Sequence, residues 1–205
     1  MLHTFTVEKS TLELLKSLQQ LPVFLNTRLV GGTAAALQIG HRGSIDLVFF
    51  GEVEDDGLLL LYEFQKSGYN CSLKHNTKNI KTFVINSIKV DVVNYPFQWL
   101  EQVVIEDEIR LAGLKDISAM KMAAITNRGT KKDFIDMFFL LKKFQLNEML
   151  EFYKAKYRTD DIYTVVRSLS YFADAEENPM PKMFADTSWD EIKGTIRNEV
   201  VKISI

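Results

Sequence analysis

Between Leu29 and Phe50 the chain reads LVGGTAAALQIGHRGSIDLVFF, and no other stretch limits the possible folds as tightly. Two adjacent glycines leave backbone N–H groups uncovered just before Ala34, Ala35, Ala36, Leu37 and Ile39, small residues that suit a short, closely packed helix starting at Thr33. Gly40 can stop it. The N-terminus of such a helix attracts phosphate, which makes Gly31, Gly32 and Thr33 a candidate phosphate seat. Fourteen residues beyond Gly32 stands Asp46, within Ser44-Ile45-Asp46-Leu47-Val48-Phe49-Phe50, a run apolar and β-branched enough for a strand. Alternation puts Asp46 and Val48 on one face and Leu47 and Phe49 on the other, so a carboxylate would face the phosphates.

The GG pair followed by His41-Arg42-x-Ser44-x-Asp46 on an apolar strand resembles the nucleotidyltransferases, and specifically the AbiEii/AbiGii toxin group. In that group the strand carries two alternating aspartates that hold a divalent metal. Here Asp46 matches the first, and Val48, which offers no oxygen, stands at the second. A third carboxylate is expected on a later strand, and Asp91 in Ile88-Lys89-Val90-Asp91-Val92-Val93 falls where it would be, as an implied metal ligand and general base. Its bland alternative is a strand-end Asp bonded to backbone or to a lysine.

A second block, Lys121 to Asp136, resembles the group's later motif, a lysine on one helix with an arginine and an aspartate around the next turn. The matching positions are Lys121, Arg128, Lys132 and Asp133. The resemblance implies that Lys121 contacts nucleotide phosphates, that Arg128 and Lys132 lie on the nucleotide side, and that Asp133 assists the reacting group. Ser44 would join the glycines at the phosphates. Arg42 would contact phosphate or brace the strand, and His41 reads as a packing or capping residue. Asp136, four residues after Lys132, reads as a surface ion pair.

The implied fold is α+β: a nucleotidyltransferase-like mixed sheet with flanking helices over 1–113, followed by a helical lobe over 114–205. The implied activity is transfer of a nucleoside monophosphate from an NTP to an acceptor, RNA among the candidates, with Mg2+ or Mn2+ on Asp46 and Asp91 and with an antitoxin protein as partner. Val48 opens an alternative, a catalytically inactive fold that binds nucleotide or protein. A structural adaptor, in which the glycines and aspartates merely make turns and caps, is the third reading.

The remaining chain supplies the scaffold. Ser10-Thr11-Leu12-Glu13 has capping-box spacing ahead of Leu15 and Leu18, and Pro22 ends that helix. Asp55 or Asp56 can cap a helix over Leu58 to Phe64. Strands are expected at Tyr69 to Leu73, Lys81 to Ile85 and Ile88 to Asn94, with Asn86-Ser87 as a tight turn, then a hairpin around Glu106-Asp107-Glu108. Asp116, Thr130, Asn147, Asp160 or Asp161, and Ser188 are candidate caps for the later helices.

The formal charge of −2 hides an uneven distribution. Residues 115–158 carry ten basic and five acidic side chains, a surplus that is either a solvated helical face or a surface for nucleotide phosphates or RNA. Three histidines and one cysteine make no zinc set, and the glycines lack a Walker lysine. With no secretion signal or membrane-length apolar run, a cytoplasmic location is the default expectation.

Overall fold

The computed structural model describes residues 1–53 and 56–203; the proposed cap at Asp55 lies outside the described residues. Seven strands form one mixed sheet: β1 (Thr27–Leu29), β2 (Leu47–Gly51), β3 (Cys71–Asn76), β4 (Ile80–Ile85), β5 (Ile88–Asn94), β6 (Val104–Glu106) and β7 (Ile109–Leu111). Their spatial order is β3-β4-β5-β2-β1-β7-β6. The pairs β1–β2, β3–β4, β4–β5 and β6–β7 are antiparallel, while β2 runs parallel to β5 and β1 parallel to β7. The β2–β5 crossover is made by helix α3 (Gly57–Lys66) and the β3–β4 hairpin. Asp56 caps α3 by accepting from the Leu58 N–H. Asn86 and Ser87 take the positive φ values, 48° and 69°, that a two-residue hairpin requires.

Helices α1 (Lys9–Gln19), α2 (Gly31–Ile39), α4 (Leu114–Asn127), α5 (Lys131–Leu141), α6 (Leu146–Tyr157), α7 (Tyr163–Leu169), α8 (Ala173–Glu176) and α9 (Trp189–Val201) complete the α+β architecture. The buried sides of β2 and β5, through Leu47, Phe49, Val90 and Val92, join the same apolar core as Ala34 and Ala35 of α2 and the phenylalanines of α5. Burying this much apolar surface is what holds the sheet and helices together.

Several local expectations change. Helix α1 begins at Lys9 after Glu8, ahead of the proposed box, and it buries Leu14 with Leu15 and Leu18 while Leu12 is only half-buried. Asp116 does not cap α4, which follows Gly113; the Glu101 carboxylate accepts from the Lys115 N–H at that end instead. Helix α6 starts after Gln145, with Glu148 reaching back to the Gln145 N–H, so Asn147 is not its cap. Ser188 caps α9 by accepting from the Glu191 N–H.

Candidate functional site

Helix α2 starts on Gly31, whose φ of +70° only a residue without Cβ adopts cheaply. A Cβ on Gly31 would lie 3.8 Å from the Val48 side chain, so the turn rests against the middle of β2. Gly32 has to be glycine for a different reason: a Cβ there would come within 2.5 Å of the Arg42 guanidinium. Thr33, buried in the first turn, shares a 2.8 Å hydrogen bond with the Ser44 hydroxyl and donates to the Asp46 carbonyl. These bonds lash the approach to β2 against the start of α2. The first N–H groups of α2 have no partner inside the helix.

Asp46 stands exposed one residue ahead of β2. The β2–β5 ladder runs Leu47 to Val90, Val48 to Asp91 and Phe49 to Val92. Neighbours in register share a face, which places Val48 beside Asp91, with Asp46 just ahead of Leu47, the first paired residue of β2. Folding therefore brings Asp46, Asp91 and the paired glycines to one end of the two central parallel strands. The Asp91 carboxylate accepts from the Thr82 hydroxyl at 2.7 Å and pairs with the Lys89 ammonium at 2.8 Å. The Lys89 pair is the lysine-bonded alternative for Asp91, although the sequence names neither Lys89 nor Thr82 as the partner. Their signals were modest but present: Lys89 is two residues from Asp91 on one strand, hence on the same face, and Thr82 lies opposite it across the hairpin.

The helices contribute a second, buried cluster. Asp136 on α5 is fully buried and accepts from Arg42 through both oxygens, Nε at 2.7 Å and Nη2 at 2.8 Å. His41 Nε2 is 2.7 Å from the same carboxylate, and the Lys121 ammonium of α4 completes its shell. Lys121 also reaches Asp133 at 3.0 Å; Asp133 further takes a fork from Arg128, at 2.9 and 3.1 Å, and the Thr130 hydroxyl at 2.7 Å. Burial alone would raise both carboxyls, but Arg42 and Lys121 around Asp136, and Lys121 and Arg128 around Asp133, hold them below the ordinary carboxylate range. Burial outweighs Asp136 at His41 and keeps the imidazole neutral, so its Nε2 carries the proton and donates.

This geometry corrects several expectations. Asp136 is no surface partner of Lys132: it is internal, and Lys132 is exposed. Arg42 is buried and bonded to Asp136 and the Gly43 carbonyl, an arrangement that fits the bracing task of the two expected of it. Asp133, 1% exposed and bonded at both oxygens, is a poor candidate for a reacting group. Lys121 sits between the two carboxylates with 5% of its side chain exposed. Arg128 differs: 64% of its side chain is exposed, and the Asp133 carboxylate raises its pKa further.

A comparable pair, Asp116 and Lys156, lies at the foot of α4. Lys156 meets Asp116 at 2.6 Å, the Asp116 oxygens accept from the Leu100 and Glu101 N–H groups, and the ammonium lies over Tyr95 and Trp99. Burial removes Lys121, Lys131 and Lys156 from the basic segment along with Asp116, Asp133 and Asp136, so its positive surplus stays on the surface.

The site does not fit a two-ion centre. Mg2+ takes a near-octahedral set of oxygens. Val48 supplies none, Asp91 is already paired, and no cluster of three His, Cys, Asp or Glu side chains suited to a metal is assembled among the described residues. No helix is long and apolar enough to cross a membrane among the described residues.

Comparison with known proteins agrees with the architecture. The chain is 32% identical over 200 residues to an uncharacterized protein of Aquifex aeolicus (strain VF5), covering 95% of this chain and 96% of that one. It superposes on JHP933 of Helicobacter pylori with a TM-score of 0.61 at 18% identity, over 96% of this chain and 94% of that chain. A candidate nucleotidyltransferase of the same organism gives 0.62 at 19% identity, over 95% and 94%. Residues 13–201 match the family described as nucleotidyl transferase AbiEii toxin, type IV toxin–antitoxin system, and the chain belongs to that family.

Proposed function

We propose that the chain binds a nucleoside triphosphate at the end of β2 and β5 and transfers its nucleoside monophosphate to an acceptor. The observation that carries this reading is the convergence of the Gly31-Gly32 turn, Ser44, Asp46 and Asp91 at one end of two adjacent parallel strands. The open N–H groups of α2 and the Ser44 hydroxyl suit phosphate oxygens. Arg128, already fixed by Asp133 and still exposed, is the cation of the helical cluster placed to meet them. An acceptor hydroxyl then attacks the α-phosphorus; a new P–O bond forms, the bond to the β-phosphate bridging oxygen breaks, and pyrophosphate leaves. Asp46, whose carboxylate has no partner among the described residues, is placed to take the acceptor's proton. The family generally uses divalent metals, but the side chains here do not supply that donor set, and this step assigns none of its charge to one.

The positive surface of residues 115–158 supports RNA as the acceptor, and membership in a toxin–antitoxin family supports an antitoxin partner and a cytoplasmic site of action. Incubating the full chain with labelled NTPs and total RNA, in Mg2+, Mn2+ or chelator, should transfer label, and Asp46→Ala should abolish it. Absence of transfer in every condition overturns the enzyme. It would leave the second reading, a nucleotide- or protein-binding module, which Val48 and the Lys89–Asp91 pair favour because both remove metal-binding capacity. Calorimetry would then show binding without turnover.

A further inference from the structure

The exposed end of the sheet carries its polar groups in rows. One row holds Val48, Asp91 and Thr82; the row before it holds Lys89, with Asp46 extending β2 alongside. Asp91 is held at both oxygens, Oδ1 by the Thr82 hydroxyl and Oδ2 by the Lys89 ammonium. The ammonium therefore lies on the same face as Asp91, where a divalent ion bound to that carboxylate would have to sit.

We infer that Lys89 is the resident cation of this site: its ammonium supplies at Asp91 the positive charge that a divalent ion would bring, and it makes phosphate binding there independent of metal. Three features point the same way. Val48 replaces a potential oxygen ligand with an isopropyl group, so an ion would lose a ligand. Lys89 places a tethered like charge against any ion approaching Asp91. Thr82, a positioning residue, fixes the carboxylate toward that ammonium. Lys89 is also equipped to bind phosphate, because 52% of its side chain is exposed and only one of its three N–H donors is needed by Asp91.

The inference concerns the nucleotide site proposed above, but its first test uses no nucleotide. Mn2+ binding to the full chain is measured by electron paramagnetic resonance for the native protein, Lys89→Met, Val48→Asp and the double variant, with thermal melting to confirm folding. The native chain should bind Mn2+ weakly, K89M should bind it several-fold more tightly, and V48D/K89M at least about tenfold more tightly than V48D, on the scale of one charge interaction. Native affinity equal to that of K89M overturns the inference. So does a V48D variant that gains the full effect with Lys89 in place. Should V48D fail to fold, the comparison of native chain with K89M, whose changed residue is half-exposed, still decides. A second arm measures ATP and GTP binding in EDTA: the native chain should keep its affinity within about twofold of that in Mg2+, K89M should lose about tenfold, and Lys89→Arg should retain it. Equal affinity of K89M and native chain in EDTA overturns the inference. If neither nucleotide binds the native chain in any condition, the proposed function fails, and the Mn2+ series alone decides the role of Lys89.

Discussion

Two pairs of aspartates stand in the stretches that most resemble a nucleotidyltransferase, and the fold treats them in opposite ways. Asp46 and Asp91 lie at the open end of β2 and β5, the first exposed and the second bonded to Thr82 and Lys89. Asp133 and Asp136 are internal, each compensated by two or more cations. Of the four motif carboxylates, Asp46 is left open for chemistry, Asp91 is fixed within the sheet, and Asp133 and Asp136 are fixed charges that join elements distant in sequence. Asp136 ties Arg42, next to the glycine turn, to α5, and Lys121 ties α4 to both, so the buried pair sets the geometry within which the exposed pair works.

The sharpest way to break this contrast is to remove the hub. Asp136→Ala would leave Arg42 and Lys121 buried with too little opposing charge, a defect that costs about 3–5 kcal/mol. For a chain of this size that should lower the melting temperature by roughly 10 °C, measurable by calorimetry or circular dichroism. A loss below about 1 kcal/mol in urea unfolding would show that the cluster does not hold α4 and α5 against the Arg42 segment.

Acid should separate the pairs next. The depressed Asp133 and Asp136 have folded pKa values below their unfolded ones, so their contribution is complete above about pH 4 and is lost as pH falls through the folded values. His41 is also depressed: between its folded value and about 6.5 the unfolded chain binds a proton that the folded chain does not. Stability should accordingly begin to decline as pH drops below about 6.5, and His41→Gln should flatten that first decline while leaving the steeper loss below pH 4. An unchanged slope in His41→Gln would mean that other groups bind the proton.

For the exposed pair the expected stability changes are small and the functional ones large. Asp46→Asn should alter unfolding free energy by less than about 0.5 kcal/mol, as for surface substitutions without a structural role. Asp91→Asn, which weakens one part-exposed ion pair, should cost at most about 1 kcal/mol. Asp46→Asn should nevertheless abolish label transfer, whereas Asp91→Asn, which only loosens the anchor of Lys89, should reduce it. A substantial stability loss at Asp46 would move it into the structural class and remove the contrast.

How far the sequence disclosed this arrangement depended on the range of the interaction. The GG turn, the small-residue helix and the period-two strand are local, and they appear at or within a few residues of the positions their composition predicts. So do the Asn86-Ser87 hairpin and the cap at Ser188. The α+β class followed from the resemblance carried by the same stretch. What stayed hidden was long-range: nothing near Asp116 announces Lys156, forty residues on, and nothing near Arg42 announces Asp136. An Asp at a helix start usually caps it, and at Asp116 a buried lysine outcompetes that role.

Lys132 sharpens the same lesson with the smallest effect. Its spacing from Asp136 matches a surface i,i+4 pair, but that rule presumes a helix with a solvent face. Helix α5 is buried almost all round: from Lys131 to Leu140, Lys132 is the exposed position. Asp136 points into the protein and is saturated by Arg42, His41 and Lys121, leaving Lys132 outside the network. Lys132→Ala should therefore change stability by less than about 0.5 kcal/mol and leave the low-pH profile intact. If Lys132 only belongs to the positive surface, the variant should weaken RNA binding slightly and lessen its salt dependence by about one unit of slope, without altering NTP affinity. A tenfold loss of NTP affinity in K132A would instead place this lysine at the triphosphate and extend the exposed half of the site onto α5.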